Sequence, residues 1–259
     1  NTEERIPLAV QMKETAINVQ IWKSYHDIVD ISLISPAGVQ IGPIPEVIGT
    51  QRFVVGDTEI LLYYGEPSPF HVSQEIFIEF LPKDSYITPG IWQFVLTPRK
   101  IVTGEYDLWL PSENVLNRGT AFRYPTERGT LTIPSTSQRV ISVGAYDSLT
   151  FAYADFSGRG GLEGESKPDL VAPGVDITAP TPSGIYQTFT GTSFATPFVS
   201  GAAALMMEWG IVRGNDPYLY GEKVKAYLRR GARPLPGFTE YPNPQVGYGA
   251  LCLRDSLPL

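Results

Sequence analysis

One stretch of this chain has the sequence GTSFATPFVSG from Gly191 to Gly201, and an apolar segment of helical character extends from Phe198 to Trp209. This order predicts that Ser193 lies at or next to the N-terminus of a helix. Unpaired backbone N–H groups and the positive end of the helix dipole gather there. Both suit an acyl-transfer nucleophile, because its transition state has an oxyanion next to the attacking oxygen. A buried alanine-rich helix with a capping serine would explain the helix, but not the residues that flank the serine.

The residues before 129 show the alternation of apolar and polar side chains that is typical of half-buried β-strands. We predict strands at Thr15–Trp22, Val29–Ile34, Glu59–Tyr64, Glu75–Phe80, Ile91–Leu96 and Tyr106–Leu110. With about eight strands at roughly ten-residue spacing, this half of the chain is predicted to be a β-sandwich. Its aromatic residues could line a carbohydrate groove, but the alternation favours core packing for Trp22, Tyr63, Tyr64, Trp92 and Trp109.

The residues from 129 onward indicate an α/β arrangement instead. Arg139–Ala145 is a short, nearly continuous apolar segment, as expected for a buried parallel strand. Asp169–Gly174 and Tyr186–Thr190 are further predicted strands, and Tyr220–Arg230 is predicted to be a second helix. The sequence therefore predicts two domains, a β-sandwich at 1–128 and an α/β domain at 129–259.

Composition and charge argue against several classes of function. The 259 residues are enough for one large or two moderate domains, and a net charge of −7 without any Lys/Arg run argues against a nucleic-acid partner. The single Cys252 excludes an internal disulfide and a cysteine zinc cluster. No apolar run approaches the ~20 residues that span a bilayer, so we expect no membrane partner.

The pattern Gly-Thr-Ser-x-Ala-x-Pro-x-Val-x-Gly resembles the serine motif of the subtilisin-like proteases. Further segments resemble motifs of the same family in the same order, namely Ile141–Ala145, Phe156–Gly160, Lys167–Gly174 and Gly247–Leu251. The resemblance implies that residues 129–259 form the C-terminal half of a subtilisin-like catalytic domain with a parallel sheet. It also implies a serine endopeptidase, which hydrolyses peptide bonds of a peptide or protein substrate.

The resemblance assigns roles to particular residues around the serine. Ser193 would be the nucleophile, and its own backbone N–H would be a donor of the oxyanion hole. Thr192 is a candidate to support the oxyanion hole, although we prefer to interpret its hydroxyl as a helix N-cap. Pro197 is expected in the first helical turn, where a missing N–H has little effect.

The segment before the first parallel strand borders the substrate pocket in this family. The resemblance therefore suggests Gly129, Thr130 and Pro134 as substrate-binding residues, with a plain linker as the alternative. It also implies a cis peptide bond between Ile133 and Pro134. Sequence alone would give any X–Pro bond only about a 5% chance of being cis.

Several parts of the family's catalytic apparatus have no match in this sequence. The two histidines, His26 and His71, lie in contexts unlike the family's His motif, and the Asp motif and the oxyanion Asn segment are absent as well. We therefore expect a missing N-terminal segment to supply the catalytic Asp, His and Asn, and this chain alone to be inactive. The expected partners are that N-terminal part of the protease or another copy of the chain.

The predicted sandwich is similar to the jelly-roll domain inserted in the clostridial, spore-germination branch of the family. That likeness favours a secreted or spore-associated bacterial protein. Family members often bind structural calcium, but Glu163, Glu165 and Asp169 lack EF-hand-like spacing. We interpret them as solvated loop carboxylates, with Asp169 held in a turn, and expect no cofactor.

Two other classes of function stay open at this point. The chain could belong to a pseudoprotease with a signalling or scaffold role, because the loss of an upstream Asp or His would not be visible in this sequence. Alternatively, the β-sandwich could be the functional part, as a binding module for glycan or protein.

Overall fold

The computed structural model describes residues 2–67, 69–70, 72–111, 115–161 and 166–257. His71, Glu163 and Glu165 lie outside the described residues. The chain divides into two compact units, which we call unit 1 (Asn1–Pro125) and unit 2 (Thr126–Leu259). The domain boundary predicted from the sequence is at 128/129.

Unit 1 is built from antiparallel strands. They are β1 Glu4–Val10, β2 Ile17–Ser24, β3 Ile28–Ile34, β4 Gln40–Ile44, β5 Thr50–Val55, β6 Thr58–Tyr64, β7 Ser73–Pro82, β8 Gly90–Lys100, β9 Tyr106–Trp109 and β10 Ala121–Phe122. Their order is β10-β1-β8-β3-β4 in one five-stranded sheet and β5-β6-β7-β2-β9 in the other. Because β1 pairs with β8 and β2 pairs with β7, strands far apart in sequence are neighbours in both sheets.

Both sheets of unit 1 contribute side chains to one hydrophobic core. Along β2, buried residues alternate with half-buried ones, as the period-two pattern predicts. Trp92 of β8 and Phe80 of β7 meet edge to face with their ring centroids 5.2 Å apart. Such a pair adds about 0.5–1.5 kcal/mol to the free energy gained from burial alone. Large aliphatic and aromatic side chains therefore fill this core.

Most of the strand pattern of unit 1 was predictable. The strand predictions made above for this unit are confirmed as β2, β3 and β6 to β9, whereas β1, β4, β5 and β10 were not predicted. Pro7 in β1 and Pro43 in β4 interrupt the pattern, because proline lacks the N–H that a strand ladder uses. Among the aromatic residues predicted to pack in the core, Trp92 and Tyr64 are buried, Trp22 and Trp109 are half-buried, and Tyr63 is 37% exposed.

Unit 2 combines short strands with helices. Its described elements are β11 Val143–Tyr146, β12 Leu170–Pro173, β13 Ile177–Pro180, β14 Tyr186–Phe189, α1 Thr192–Met207, α2 Gly221–Arg230 and α3 Leu253–Ser256, with a π-helical turn at Glu208–Val212 that continues α1. β11 and β12 are parallel, as predicted, and β13 and β14 are antiparallel. Val171 of β12 also forms a parallel bridge with Ala250. α1 packs against β11 and β12, and the predicted second helix is confirmed as α2.

Small residues allow the elements of unit 2 to approach one another closely. A Cβ on Gly144 of β11 would lie 2.8 Å from the hydroxyl oxygen of Ser157. A Cβ on Gly174 would lie 2.7 Å from the Cβ of Ala145 and 3.0 Å from the carbonyl oxygen of Gly191. Because a side chain would collide at both places, glycine is required for the contact between β11, the end of β12 and the start of α1.

α1 and the π-helical turn together form a 21-residue helix, Thr192–Val212, that is long and apolar enough to cross a membrane. The expectation that no segment approaches this length is therefore wrong, because the small residues of the helix keep it apolar on average although polar residues interrupt it. This is weak evidence for a membrane, since the core helices of soluble proteins pass the same test. Ala195, Val199, Ala202 and Met206 pack in the core of unit 2, so one side of α1 belongs to that core, although only 28% of its apolar window is buried.

Candidate active site

The start of α1 places Ser193 at a helix N-terminus. The helix begins at Thr192, so the predicted location of the serine is confirmed, although the helix starts well before Phe198. Gly191 precedes the helix with a φ of 155°, a conformation that favours glycine. Its N–H donates to the carbonyl of Gly174 at 2.8 Å, which joins the start of α1 to the end of β12.

The first backbone N–H groups of α1 are available to a ligand. Within the described residues, no group accepts a hydrogen bond from the N–H of Thr192 or Ser193. The interpretation of Thr192 as the capping residue is wrong, because the N-cap position belongs to Gly191 and no side chain caps the helix. Ser193 itself is exposed. It therefore presents a hydroxyl and an unpaired N–H together at the positive end of the helix.

Pro197 interrupts the hydrogen bonding of α1 just beyond the serine. Because the helix begins at Thr192, Pro197 lies in its second turn, and the expectation that it lies in the first turn is wrong. A helical N–H donates to the carbonyl four residues earlier, and proline has no N–H, so the Ser193 carbonyl receives no such bond from Pro197. The hydroxyl of Thr196 donates to the neighbouring carbonyl, that of Thr192, at 3.0 Å.

A polar cavity of about 700 Å³ lies beside the start of α1. It is lined by Thr192, by residues 130–132 and by residues 155–159, among others. Of the predicted substrate-binding residues, Thr130 lines this cavity, whereas Gly129 and Pro134 do not. The structure therefore brings Thr130 and Thr192 to the same cavity and leaves the other two outside it.

Hydrogen bonds join the two segments that line this cavity. The N–H of Thr130 donates to the carbonyl of Arg159 at 2.8 Å, and the N–H of Arg159 donates to the Thr130 hydroxyl at 2.9 Å. The N–H of Gly129 donates to the carbonyl of Gly160 at 3.1 Å, and its φ of 68° favours glycine. Gly129 thus does not line the cavity itself, but its hydrogen bond to Gly160 holds the segments that do. The Ile133–Pro134 bond is cis, which confirms the expectation from the resemblance.

Charged residues of the cavity were missed as site residues in the sequence. Asp155 is exposed and has no hydrogen-bond or ion-pair partner among the described residues. Arg159 forms an ion pair with Glu127 and lies 5.5 Å from the ring centre of Tyr153. Arg159 lies within the motif Phe156–Gly160 and Asp155 directly precedes it. The motif therefore pointed to this segment, but it did not predict that these two side chains line a cavity.

Asp169 is fully buried, which corrects the interpretation of this residue as a solvated carboxylate. Nε of Arg229 donates to one of its oxygens at 2.7 Å, and Nζ of Lys225 lies 3.1 Å from the same oxygen. The other oxygen accepts the N–H of Ser142 at 2.6 Å. The sequence did not reveal this burial, because both basic partners lie on α2, far along the chain.

No imidazole base is present in unit 2, because the two histidines of the sequence are His26 and His71. His26 lies on an exposed turn of unit 1, where its Nδ1 is 3.3 Å from the hydroxyl oxygen of Ser24. Within the described part of the chain, no group of three or more His, Cys, Asp or Glu residues could hold a metal ion. Unit 2 therefore contains the exposed Ser193 hydroxyl at a helix N-terminus but no histidine.

The sequence of unit 2 is similar to that of known serine proteases. Residues 124–249 match the model of the subtilase family, Peptidase_S8. The serine protease AprX of Bacillus subtilis (strain 168) is 34% identical over 150 residues, which cover 50% of this chain and 32% of that protein. An intracellular serine protease of Paenibacillus polymyxa is 38% identical over 105 residues, which cover 39% of this chain and 30% of that protein. The chain thus spans about a third of the length of these relatives.

The fold of the chain is similar to that of a solved structure over nearly its whole length. The structure of the Clostridium perfringens CspB protease matches with a TM-score of 0.91 and 39% sequence identity. The match covers 99% of this chain and 54% of that chain, so it includes the strands of unit 1 as well as unit 2.

Proposed function

We propose that the chain is a subtilase through residues 124–249, which match the model of that family, and that Ser193 is the nucleophile of an endopeptidase. One observation carries the proposal. Ser193 presents an exposed hydroxyl and an unpaired N–H at the start of α1, beside a polar cavity. A nucleophile and an oxyanion donor on the same residue are what acyl transfer to a serine requires.

In the proposed reaction, Oγ of Ser193 attacks the carbonyl carbon of a peptide bond. A general base takes the Oγ proton as the C–O bond to the serine forms, and its conjugate acid gives that proton to the leaving amine as the C–N bond breaks. The N–H of Ser193 donates to the oxyanion while the carbon is tetrahedral. Water then hydrolyses the acyl-enzyme and regenerates the serine. Thr192, which caps nothing in α1, supports the same oxyanion site.

A histidine, an aspartate and an oxyanion asparagine are needed from outside this sequence. Unit 2 contains no histidine, and the general base of this chemistry is an imidazole. We propose that an N-terminal part of the same protease supplies these groups and that this chain alone does not hydrolyse peptides. The exposed apolar residues Phe198 and Leu205 on α1 support a covering partner, which is that N-terminal part or another copy of the chain.

The substrate is a peptide or protein, and the polar cavity is the proposed place for one of its side chains. Thr130 is the proposed substrate-binding residue that lines it, and Gly129 and Pro134 act by shaping the adjacent wall. Unit 1 is proposed to be a jelly-roll-like sandwich, which the nested pairing of β1 with β8 and β2 with β7 supports. Secretion or association with spores is proposed from the motif resemblance.

Labelling with a fluorophosphonate probe tests the proposed nucleophile. We expect the full-length protease to react at Ser193, and neither its Ser193→Ala variant nor the 259-residue chain to react. Loss of the nucleophile should lower the rate of peptide hydrolysis by more than about 10⁴-fold. Circular dichroism of the Ser193→Ala variant controls for folding. Failure of the full-length protease to react would contradict the proposal and favour the non-catalytic signalling or scaffold role.

A further inference from the structure

Unit 1 contains a cavity of about 200 Å³ to which both of its sheets contribute. Ile21 and Lys23 line it from β2 in one sheet, and Ile31 lines it from β3 in the other. Ile21 and Ile31 are buried, whereas Glu4 and Tyr106, which line the cavity as well, are exposed. The cavity therefore extends from the surface of unit 1 into the apolar space between its sheets.

Lys23 is a buried amine in the wall of this cavity. It is 5% exposed and forms no ion pair with any of the described residues. Its Nζ donates to the carbonyl of Asp27 at 2.8 Å and to the carbonyl of Ser24 at 3.4 Å. Two acceptors match the two N–H groups of a neutral amine, whose nitrogen then keeps a free lone pair. An ammonium group would have a third N–H, for which the described residues offer no acceptor.

The surroundings of Lys23 favour its neutral form. Burial lowers the pKa of Lys23, and the negative charges of Glu46 and Asp27 oppose this effect without cancelling it. The Asp27 carboxylate accepts hydrogen bonds from residues 102–104, in the loop that borders the cavity, instead of pairing with the amine. A lysine that is desolvated beside an apolar cavity is a nucleophile towards carbonyl compounds.

A phenol lies opposite this amine. Tyr106 of β9 pairs with Lys23 of β2 in the register of the sheet, so both side chains are on the same face. The Tyr106 hydroxyl donates to the Glu4 carboxylate, and both residues line the cavity. Burial, together with this hydrogen bond, raises the pKa of Tyr106 to about 12, so the phenol keeps its proton at neutral pH. The cavity thus combines a nucleophile with a pair of groups that can transfer protons.

We propose that Lys23 forms an imine with a small apolar aldehyde that binds in this cavity. The cavity is larger than the roughly 150 Å³ that holds benzene in a protein core, so it admits one aromatic ring. The amine nitrogen attacks the aldehyde carbon, the N–C bond forms, and the oxygen takes up the proton that the nitrogen loses. This hydroxyl then leaves as water with the second proton of the nitrogen, and the C=N bond forms without oxidation or reduction. Tyr106 and Glu4 transfer these protons.

Reductive trapping of the full chain with benzaldehyde and cyanoborohydride at neutral pH tests the proposal. Reduction converts an imine into a stable benzyl-lysine, which peptide mapping by mass spectrometry locates. We expect Lys23 to be labelled at least about tenfold faster than the exposed Lys13 and Lys100, because each unit by which the pKa is lowered gives about ten times more neutral amine. Glyceraldehyde, which is a polar aldehyde, should show no such preference for Lys23.

A variant of the cavity wall separates binding in the cavity from the general reactivity of lysines. Val29 lines the cavity, and Val29→Phe should slow the labelling of Lys23 by about tenfold without changing that of Lys13, because the added ring occupies the space. Labelling of Lys23 at the full rate in this variant, with unchanged near-ultraviolet circular dichroism, would overturn the proposal. So would labelling of Lys23 in the unchanged chain that is no faster than that of Lys13 and Lys100, a result that requires no variant to fold.

Discussion

Unit 1 and unit 2 are stabilised by different means. The largest fully buried side chains of the described residues, from Trp92 and Phe80 to Ile78, all lie in unit 1 between its two sheets. In unit 2 the core contains many alanines, and buried charges at Lys167, Asp169 and Lys225 join its segments. Unit 1 therefore gains stability mainly from apolar burial, whereas unit 2 relies on close backbone packing and internal ion pairs.

In unit 2, unlike unit 1, exposed apolar residues lie along a helix that also contributes to the core. In unit 2, α1 buries one side against β11 and β12, but Phe198 is 42% exposed and Leu205 is 54% exposed. Ile211 and Val212 at the end of the same helix are exposed as well. Unit 1 has exposed apolar residues as well, such as Ile48 and Phe70, but none of them lies on a helix that contributes to a core. We therefore expect unit 1 to fold from its own residues and unit 2 to need a surface that covers α1.

Separating the units should have the largest effect. Residues 1–125 expressed alone should unfold cooperatively on heating, because their core is complete. Residues 126–259 alone should aggregate or lack fixed tertiary packing, because the apolar side of α1 stays exposed. Near-ultraviolet circular dichroism and calorimetry of the two fragments check this.

A variant of α1 sharpens the same comparison. Phe198→Glu together with Leu205→Glu should make the fragment 126–259 more soluble without restoring cooperative unfolding, since the missing contacts are not replaced. Cooperative unfolding of unchanged residues 126–259 as a monomer would contradict the difference between the units.

Asp169→Asn should have the next largest effect and should act on unit 2 alone. The substitution leaves Arg229 and Lys225 next to a neutral group in a buried site, which costs about 3–5 kcal/mol when one partner of a buried ion pair is removed. Urea unfolding measures this loss when it is monitored by spectroscopic signals that report on unit 1 and on unit 2 separately. Asp255→Asn, at the exposed ion pair with Arg233, is the matched control and should change little. Equal losses in the free energy of unfolding for both variants would mean that the buried charge of Asp169 does not stabilise unit 2.

Asp27 provides the corresponding test in unit 1. Burial raises the pKa of this carboxyl, but hydrogen bonds from the N–H groups of Val102, Thr103 and Gly104 and from the Thr103 hydroxyl outweigh burial and lower the pKa well below its usual 3.8. A lowered pKa in the folded state stabilises unit 1 above the unfolded pKa. That stabilisation is therefore complete at neutral pH and is lost as the pH falls below about 4.

Asp27→Asn should destabilise unit 1 by about 2–3 kcal/mol at neutral pH, because an amide cannot accept all of these bonds. The variant should also lose stability less steeply than the unchanged chain between about pH 4 and pH 2. Urea unfolding across that range measures both effects. Asp30→Asn, at the exposed Arg99 ion pair, is the control. A parallel pH dependence of Asp27→Asn and the unchanged chain would show that this carboxylate does not set the acid stability.

The elements that the sequence predicted correctly are those whose signal is local. Glu75–Phe80 alternates strictly and became β7, and the serine motif placed Ser193 at a helix start. The errors concern partners that lie far along the chain. The N-cap of α1 is Gly191, whose N–H donates to the carbonyl of Gly174, and no pattern around Thr192 contains that contact.

The same limit explains what was missed at the candidate site. Burial of Asp169 depends on Lys225 and Arg229 of α2, which begins at Gly221. Hydrophobic periodicity reports which side of an element is apolar, but it does not report which distant side chain meets it. Contacts between residues that are far apart in the sequence could therefore be identified only from the structure.

The parallel bridge between Val171 and Ala250 has a consequence for synthesis on the ribosome. The N–H of Leu251 donates to the carbonyl of Val171, and the N–H of Val171 donates to the carbonyl of Gly249. These bonds cannot form until residues 249–251 have been translated, so β12 can pair with β11 earlier but its other edge stays unpaired until the last part of unit 2 is made. At about 5–20 residues per second, the ribosome needs roughly 6–25 s to add residues 126–251 after unit 1. During that interval unit 1 can already be folded, while the nascent unit 2 is a substrate for chaperones and proteases.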